Sequence, residues 1–200
     1  MEEKIEFKTI TEISEGHYKE KGSKFIGYCI PFEKEESLKI ELQNIKKIHP
    51  QARHICYAYR TGVIQPKTRA NDDGEPNNSA GTPILGQINS FNITNVLIAV
   101  VRNFGGTKLG VGGLVTAYKT AAKEAILANT ISTEVLKSTL LIEFPYLHLQ
   151  QIMRLLKANG AKIISIDQNN MDRNLIQFEI EHHIARTLMN QLKEHLIQPI

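Results

Sequence analysis

The sequence predicts a chain of mixed strands and helices folded as two units, residues 1–130 and 131–200. Three observations carry this. "NVLIAVVRNF" (95–104) is a continuous apolar run of strand length, the pattern of a central strand covered on both faces. A glycine-rich turn follows, and then "LVTAYKTAAKEAILAN" (114–129), whose apolar residues recur at helical spacing. From residue 131 onward the patterns run strand, helix, strand, strand, helix, the order of a split βαβ sandwich.

The elements follow in order. "KIEFKTI" (4–10) alternates apolar and polar residues, and "SKFIGYCI" (23–30) is an aromatic-rich run closed by Pro31, so the first thirty residues read as strands. "EKEESLKIELQNIKKI" (33–48) is helical, with its acids early and Leu38, Leu42 and Ile45 on one face; Pro50 stops it. "HICYAYR" (54–60) is a strand, with Ile55, Tyr57 and Tyr59 on one side and His54, Cys56, Ala58 and Arg60 on the other. Residues 61–78 carry the Gly, Pro and Asn punctuation of a loop. "AGTPILGQIN" (80–89) reads as a short helix with Pro83 in its first turn. In the helix after the glycine turn, Leu114, Tyr118, Ala121, Ala122, Ala125 and Ile126 face inward. The second unit comprises "STLLIEFPY" as a strand and "LHLQQIMRLLKANG" as a helix closed by Gly160. "AKIISIDQ" and "NLIQFEIE" are strands around an Asn/Asp turn, and "IARTLMNQLKEHL" is the final helix.

Composition narrows the function classes. An apolar fraction of 42% is ordinary for a folded chain. Cys29 and Cys56 stand apart without CxxC spacing, which argues against a zinc site or a disulfide framework and for a reducing compartment. "MEEKIEF" has no apolar core of a signal peptide and no apolar run reaches about 18 residues, so a cytoplasmic protein with no membrane contact is expected. Charge is unevenly placed. Between Glu41 and Glu124 lie ten cations and three acids, a net of +7, a field that attracts phosphates or acidic proteins.

The three acids of that segment, Asp72, Asp73 and Glu75, sit together in "NDDGEPNNSAGTPILG" (71–86). Three readings are open. Hard carboxylates at short spacing hold Mg²⁺. Alternatively they lock the loop, through Asx turns at Asn71 and Asp72 and ion pairs to Arg53, Arg69 or Arg102. Or they form a polar loop without a role. The spacing excludes an EF-hand.

The glycine stretch contains Gly105, Gly106, Gly110, Gly112 and Gly113, flanked by Arg102, Thr107 and Lys108. A glycine loop opening a helix presents free N–H groups at the positive end of the dipole, an anion site; the alternative is a tight turn in which glycine solves packing. It is neither a Walker A loop, since Val111 follows Gly110, nor G-x-G-x-x-G, since Val115 lies three after Gly112. No nucleotide cofactor of those classes is expected. Lys119 and Lys123, one turn apart on the following helix, either extend a cationic strip with Arg102 and Lys108 or lie on a solvated face. A catalytic His54–Cys56 pair is disfavoured, because i and i+2 side chains on a strand lie parallel and too far apart.

Taken together, "HICYAYR", "DDGEP", "AGTPIL" and "VLIAVVRNFGGTKLGVGGLVTAY", in that order and spacing, resemble the IMPACT family, in its bacterial YigZ-type form. The resemblance implies an α+β fold in two domains. The first is similar to the second domain of a small-subunit ribosomal protein and to elongation factor G domain IV. The second is ferredoxin-like, similar to domain V of that factor. This pairing implies nucleic-acid or ribosome contact. Eukaryotic relatives regulate translation through an additional N-terminal domain, an activity not carried over here. Three departures from the family pattern stand out: Asn103 in place of Tyr, NNSAG at Asn77–Gly81, and Thr116 in place of a cation.

The reading is therefore a nucleic-acid- or ribosome-binding protein, with RNA or the ribosome as partner, a role in translation regulation and no cofactor. Arg102, Gly105, Gly106, Lys108, Gly110, Gly112, Gly113, Lys119 and Lys123 contact phosphates, Tyr57, Tyr59 or Phe104 stack on bases where exposed, and His54, Asp72, Asp73 and Glu75 brace the cations. The alternatives are a Mg²⁺-dependent hydrolase or phosphotransferase built on the DDGEP acids, and a protein-interaction module whose C-terminal domain docks a partner.

Overall fold

The computed structural model describes residues 3–167 and 173–196, and the backbone of 198–199. The chain divides into two compact units, Phe7–Glu134 and Val135–Ile200, the second joined by the N-terminal stretch ending at Glu6. Both mix strands with helices, an α+β architecture.

The larger unit contains β1 (Glu6–Ile10), β2 (Ser14–Glu20), β3 (Ser23–Pro31), α1 (Leu38–Ile48), β4 (His54–Thr61), β5 (Lys67–Asn71), α2 (Gly81–Ser90), β6 (Val96–Asn103), α3 (Gly110–Leu127) and β7 (Ile131–Val135). Five strands form one sheet in the order β2-β3-β6-β4-β5, with every neighbouring pair antiparallel. β1 pairs with β7 in a separate two-stranded sheet.

The central place of β6 follows from its sequence. Val96–Val101 are fully buried, because Val96, Ile98 and Val100 face α2 and α3 while Leu97, Ala99 and Val101 face the α1 side. Each large aliphatic side chain buried this way is worth about 1.5–3 kcal/mol. A two-sided apolar strand usually signals a parallel sheet; here the sheet is antiparallel, and helices on both faces impose the same demand. Leu38, Leu42 and Ile45 of α1 pack on that face, and Leu114, Tyr118, Ala121, Ala122, Ala125 and Ile126 of α3 pack on the other.

α3 lies unusually close to the β2–β3 hairpin. A Cβ on Gly16 would fall 2.1 Å from the Ala125 nitrogen, and one on Gly27 would fall 2.5 Å from the Ala121 carbonyl oxygen. Small residues on both partners allow this approach and set the height of the C-terminal half of α3 over the sheet.

Two readings of this unit are corrected. Residues 61–78 are not wholly loop: Lys67–Asn71 form β5, an edge strand paired with β4. Its residues are almost all exposed and polar, so neither alternation nor burial marks it. The helix after β6 begins at Gly110, not Leu114, so three glycines assigned to the loop occupy its first turn.

The smaller unit contains β8 (Lys137–Phe144), α4 (Leu149–Ala158), β9 (Lys162–Asp167), β10 (Asn174–Glu181), α5 (His182–Leu192) and the two-residue β11 (Gln198–Pro199). The sheet order β11-β8-β10-β9 places β10 between the strands joined through α4, a split βαβ arrangement. Ile142, Phe144, Ile176, Phe178 and Ile180 from the sheet meet Ile152, Leu156, Leu188 and Leu192 from the helices in a separate core. The Asn/Asp turn expected between β9 and β10 lies outside the described residues. Among the described residues, no helix is long and apolar enough to cross a membrane.

Candidate functional site

Strand register assembles the site. Arg102, near the end of β6, lies opposite Phe25 on β3 and opposite His54 on β4, so the three form one row across the sheet. Their side chains share the face covered by α3. There the Arg102 guanidinium carbon lies 5.7 Å from the Phe25 ring centroid and 5.4 Å from that of Phe104. Its Nη1 donates to Glu75 Oε1 at 2.6 Å, and the two side chains are 10% and 5% exposed. The Tyr118 hydroxyl, from α3, donates to the same oxygen at 2.8 Å. The Tyr118 ring meets Phe25 edge-on at 5.1 Å. Burial pushes the Tyr118 hydroxyl well above its ordinary range, with Cys56 and Glu75 adding to the effect, so it remains a donor at neutral pH.

The acidic motif is held by backbone. Asp72–Glu75 is a turn closed by the Glu75 N–H to the Asp72 carbonyl at 2.9 Å, with positive φ at Asp73 (43°) and Gly74 (86°). Positive φ at both central positions is the primed-turn geometry that Asp-Gly favours. The Asn71 side chain accepts the Asp73 N–H at 2.8 Å, an Asx turn. Asp72 does something else. Its Oδ1 accepts the N–H groups of Ala80 and Gly81 at 2.9 and 2.8 Å, and its Oδ2 accepts that of Asn78 at 2.8 Å. It caps α2 from eight residues upstream, with its charge at the positive end of that helix. Asp73 Oδ2 accepts the Ile55 N–H at 2.6 Å. The three carboxylates therefore point to different places. Among the described residues no group of three His, Cys, Asp or Glu side chains is arranged to hold a metal ion.

His54 Nδ1 donates to the Asp73 carbonyl at 2.6 Å, and the ring lies where a Cβ on Gly74 would fall, 3.2 Å from its Cε1. Cys56, fully buried, donates its thiol to the Asp72 carbonyl at 3.0 Å. Burial pushes that thiol up to about 12, so it is not a nucleophile at neutral pH.

Beside this row is a cleft of about 570 Å³ lined by Gln51, Arg53, His54, Arg102, Asn103, Phe104 and Lys108. Among the described residues no carboxylate lines it. Arg53 and Lys108 are exposed, as is Phe104 at 54%. Arg102, its side chain 10% exposed, forms part of the wall, and its Nε has no hydrogen-bond partner among the described residues.

The glycines separate into two kinds. Gly105 is a packing glycine: a Cβ there would fall 1.9 Å from the Gly22 carbonyl carbon, and its N–H donates to Ser23 Oγ at 3.1 Å. Gly113 is also confined, by Leu109 at 2.9 Å. Gly106 and Gly110 have positive φ, 91° and 71°. Gly112 has neither constraint: φ is not positive and nothing lies within 4 Å of its Cβ position. In the first turn of a helix that costs roughly 0.5–1 kcal/mol relative to Ala.

The structure thus brings Arg102, Lys108 and His54 together around the cleft, whose lining includes none of Gly105, Gly106, Gly110, Gly112 or Gly113. Lys119 and Lys123 are exposed but do not line the cleft. They lie nine and thirteen residues beyond Gly110, roughly 14 and 20 Å along the helix, on the stripe that begins at Gly112 and Thr116. Tyr57 and Tyr59 are 6% and 2% exposed, so neither can stack on a base; both pack on the α1 side of the sheet. Sequence reasoning missed Gln51 and Arg53 in the cleft and Phe25 and Tyr118 behind it. Only Tyr118 left a signal, a hydroxyl on an otherwise apolar helix face that must find an acceptor.

Fold and site together define a two-unit α+β protein with a cationic cleft at the end of its central strand. The model of the Impact N-terminal domain matches residues 21–126, more than half of the chain. The chain is 32% identical over 149 residues to the IMPACT family member YigZ of Escherichia coli (strain K12), covering 74% of this chain and 73% of that protein. It is 36% identical over 118 residues to the IMPACT family member YvyE of Bacillus subtilis (strain 168), a match spanning 59% of this chain but only 54% of that relative. A crystal structure of a hypothetical protein is similar over 95% of this chain and 92% of its own, with TM-score 0.74 and 26% identity. The chain belongs to the IMPACT family.

Proposed function

We propose that this protein binds single-stranded RNA, free or on the ribosome, through the cleft at the end of β6, with a role in regulating translation. The observation that carries the reading is the lining of the cleft: two exposed cations, a third held in the wall, one exposed aromatic ring and, among the described residues, no carboxylate. A phosphate backbone is recognised by cations and by free N–H groups at a helix start, and unstacked bases by aromatic faces. Lys119 and Lys123 continue the positive charge along α3 and would meet phosphates of a longer strand.

The acids support this reading rather than the metal-dependent one. Asp72 and Asp73 accept backbone N–H groups, and Glu75 accepts Arg102 and Tyr118. They hold the loop and Arg102 in place and do not converge on a metal.

Within the family we place the chain with the bacterial YigZ-type proteins. Its units correspond to elongation factor G domain IV and the ferredoxin-like domain V, an architecture suited to the ribosome. The test is the salt dependence of binding to a fluorescent single-stranded RNA between 50 and 200 mM salt. Each neutralised phosphate contributes about −0.7 to the slope of log affinity against log salt. Arg53→Ala and Lys108→Ala should each lower the slope by about that amount. An affinity indifferent to salt, or untouched by both variants, rejects the reading.

A further inference from the structure

We infer that the cleft recognises one nucleoside 5′-monophosphate unit, either a free nucleotide or the phosphorylated 5′ end of an RNA, rather than an internal stretch of backbone. The inference rests on the phosphate-binding reading above and narrows it.

Three observations lead to it. The first is charge. Arg53, Lys108 and Arg102 line the cleft, but Arg102 is already paired with Glu75 at 2.6 Å. That leaves about two positive charges unmatched. A terminal phosphate carries roughly −1.5 to −2 at pH 7, whereas a phosphodiester carries about −1. The balance suits the terminal group.

The second is the number of stacking surfaces. Proteins that follow a strand present several aromatic faces to successive bases. Here one ring, Phe104, is exposed in the cleft, and Tyr57 and Tyr59 are buried elsewhere. Phe104 is backed by the Arg102 guanidinium at 5.4 Å, which fixes its position. A cleft of about 570 Å³ falls within the range of small-ligand sites.

The third is unmet donor capacity. Lys108 leads directly into α3, whose first N–H groups lack intrahelical partners and whose Leu109 cap position supplies no side-chain bond. At Gly112 the space beside the first turn is open. A dianionic phosphate held by Arg53 and Lys108, beside the approach to α3, with its base on Phe104, uses the charge and the ring of the cleft together.

The test uses the full chain and isothermal titration with AMP, adenosine, inorganic phosphate, and a five-nucleotide RNA carrying either a 5′-phosphate or a 5′-hydroxyl. AMP is expected to bind at least tenfold more tightly than adenosine or inorganic phosphate, and the 5′-phosphorylated RNA at least tenfold more tightly than its 5′-hydroxyl counterpart. Phe104→Ala, at an exposed position, should weaken AMP about tenfold or more and leave inorganic phosphate unchanged. Lys108→Ala should weaken both. If the two RNAs bind equally and AMP does not bind, the inference falls and the RNA reading stands. AMP binding without RNA binding keeps the inference, as a free-nucleotide site, and removes the RNA reading. Inorganic phosphate binding as tightly as AMP rejects a base subsite, and no binding of any probe rejects both proposals.

Discussion

Arg102 and Glu75 meet at 2.6 Å with their side chains 10% and 5% exposed, and Tyr118 bonds the same carboxylate oxygen at 2.8 Å. A buried charge with its partner removed is strongly destabilising, so the pair behaves as a unit. Glu75→Ala should cost about 3–5 kcal/mol in urea unfolding, by leaving the Arg102 guanidinium and the Tyr118 hydroxyl unmatched. In a double-mutant cycle, Arg102→Met combined with Glu75→Gln should cost clearly less than the sum of the single changes. Additive effects would show that the two residues do not depend on each other.

Asp72 satisfies three N–H groups around the start of α2. Asp72→Ala should destabilise the fold by roughly 2–3 kcal/mol, and Asp72→Asn, which keeps an acceptor oxygen, by about half as much. Amide hydrogen exchange should quicken first at Asn78, Ala80 and Gly81. An unchanged exchange pattern there would remove the capping role.

Gly105 and Gly112 should respond in opposite ways to the same substitution. Gly105→Ala forces a methyl onto the Gly22 carbonyl carbon at 1.9 Å, and should cost about 1–3 kcal/mol or more as the β2–β3 turn moves. Gly112→Ala meets nothing and should stabilise α3 by up to about 1 kcal/mol. If the open space is used by a ligand, Gly112→Ala also weakens RNA binding while the melting temperature rises. A stabilised variant with full affinity would show that the space serves no ligand.

Cys29 and Cys56 are each pushed up to about 12 by burial, from an unfolded value near 9. In the native state both thiols keep their protons where the unfolded chain loses them. Their contribution is intact below about pH 9 and is lost as pH rises toward 12, at up to about 1.4 kcal/mol per thiol per pH unit. Urea unfolding at pH 7.5 and pH 10 should show the loss, reduced in Cys56→Ala. Alkylation by iodoacetamide should be slow in the native protein and rapid once it is unfolded.

Much of the fold was legible because apolar pattern reports burial directly. β6, the inner face of α3, the strand halves of "HICYAYR" and the α4 and α5 stripes all follow from residues that must leave water. β5 was not legible: its exposed Lys67, Thr68 and Arg69 are held by pairing with β4, and pairing leaves no local trace in an edge strand. Nor was the early start of α3, since local propensity places Gly110, Gly112 and Gly113 outside a helix and tertiary packing overrides it.

The sequence by itself determined the mixed α/β character, the central apolar strand and the concentration of positive charge around a single acidic motif. Only the tertiary structure decided which charges meet. Sheet register set Phe25, Arg102 and His54 in a row, a turn brought Glu75 beneath Arg102, and α3 delivered Tyr118 to the same oxygen. Glu75 lies 27 residues from Arg102 and 43 from Tyr118 in the chain. Hydrophobic periodicity acts over a few residues, whereas a buried polar contact depends on where distant segments are placed. For that reason the charges could be counted from the sequence, but their pairing could not.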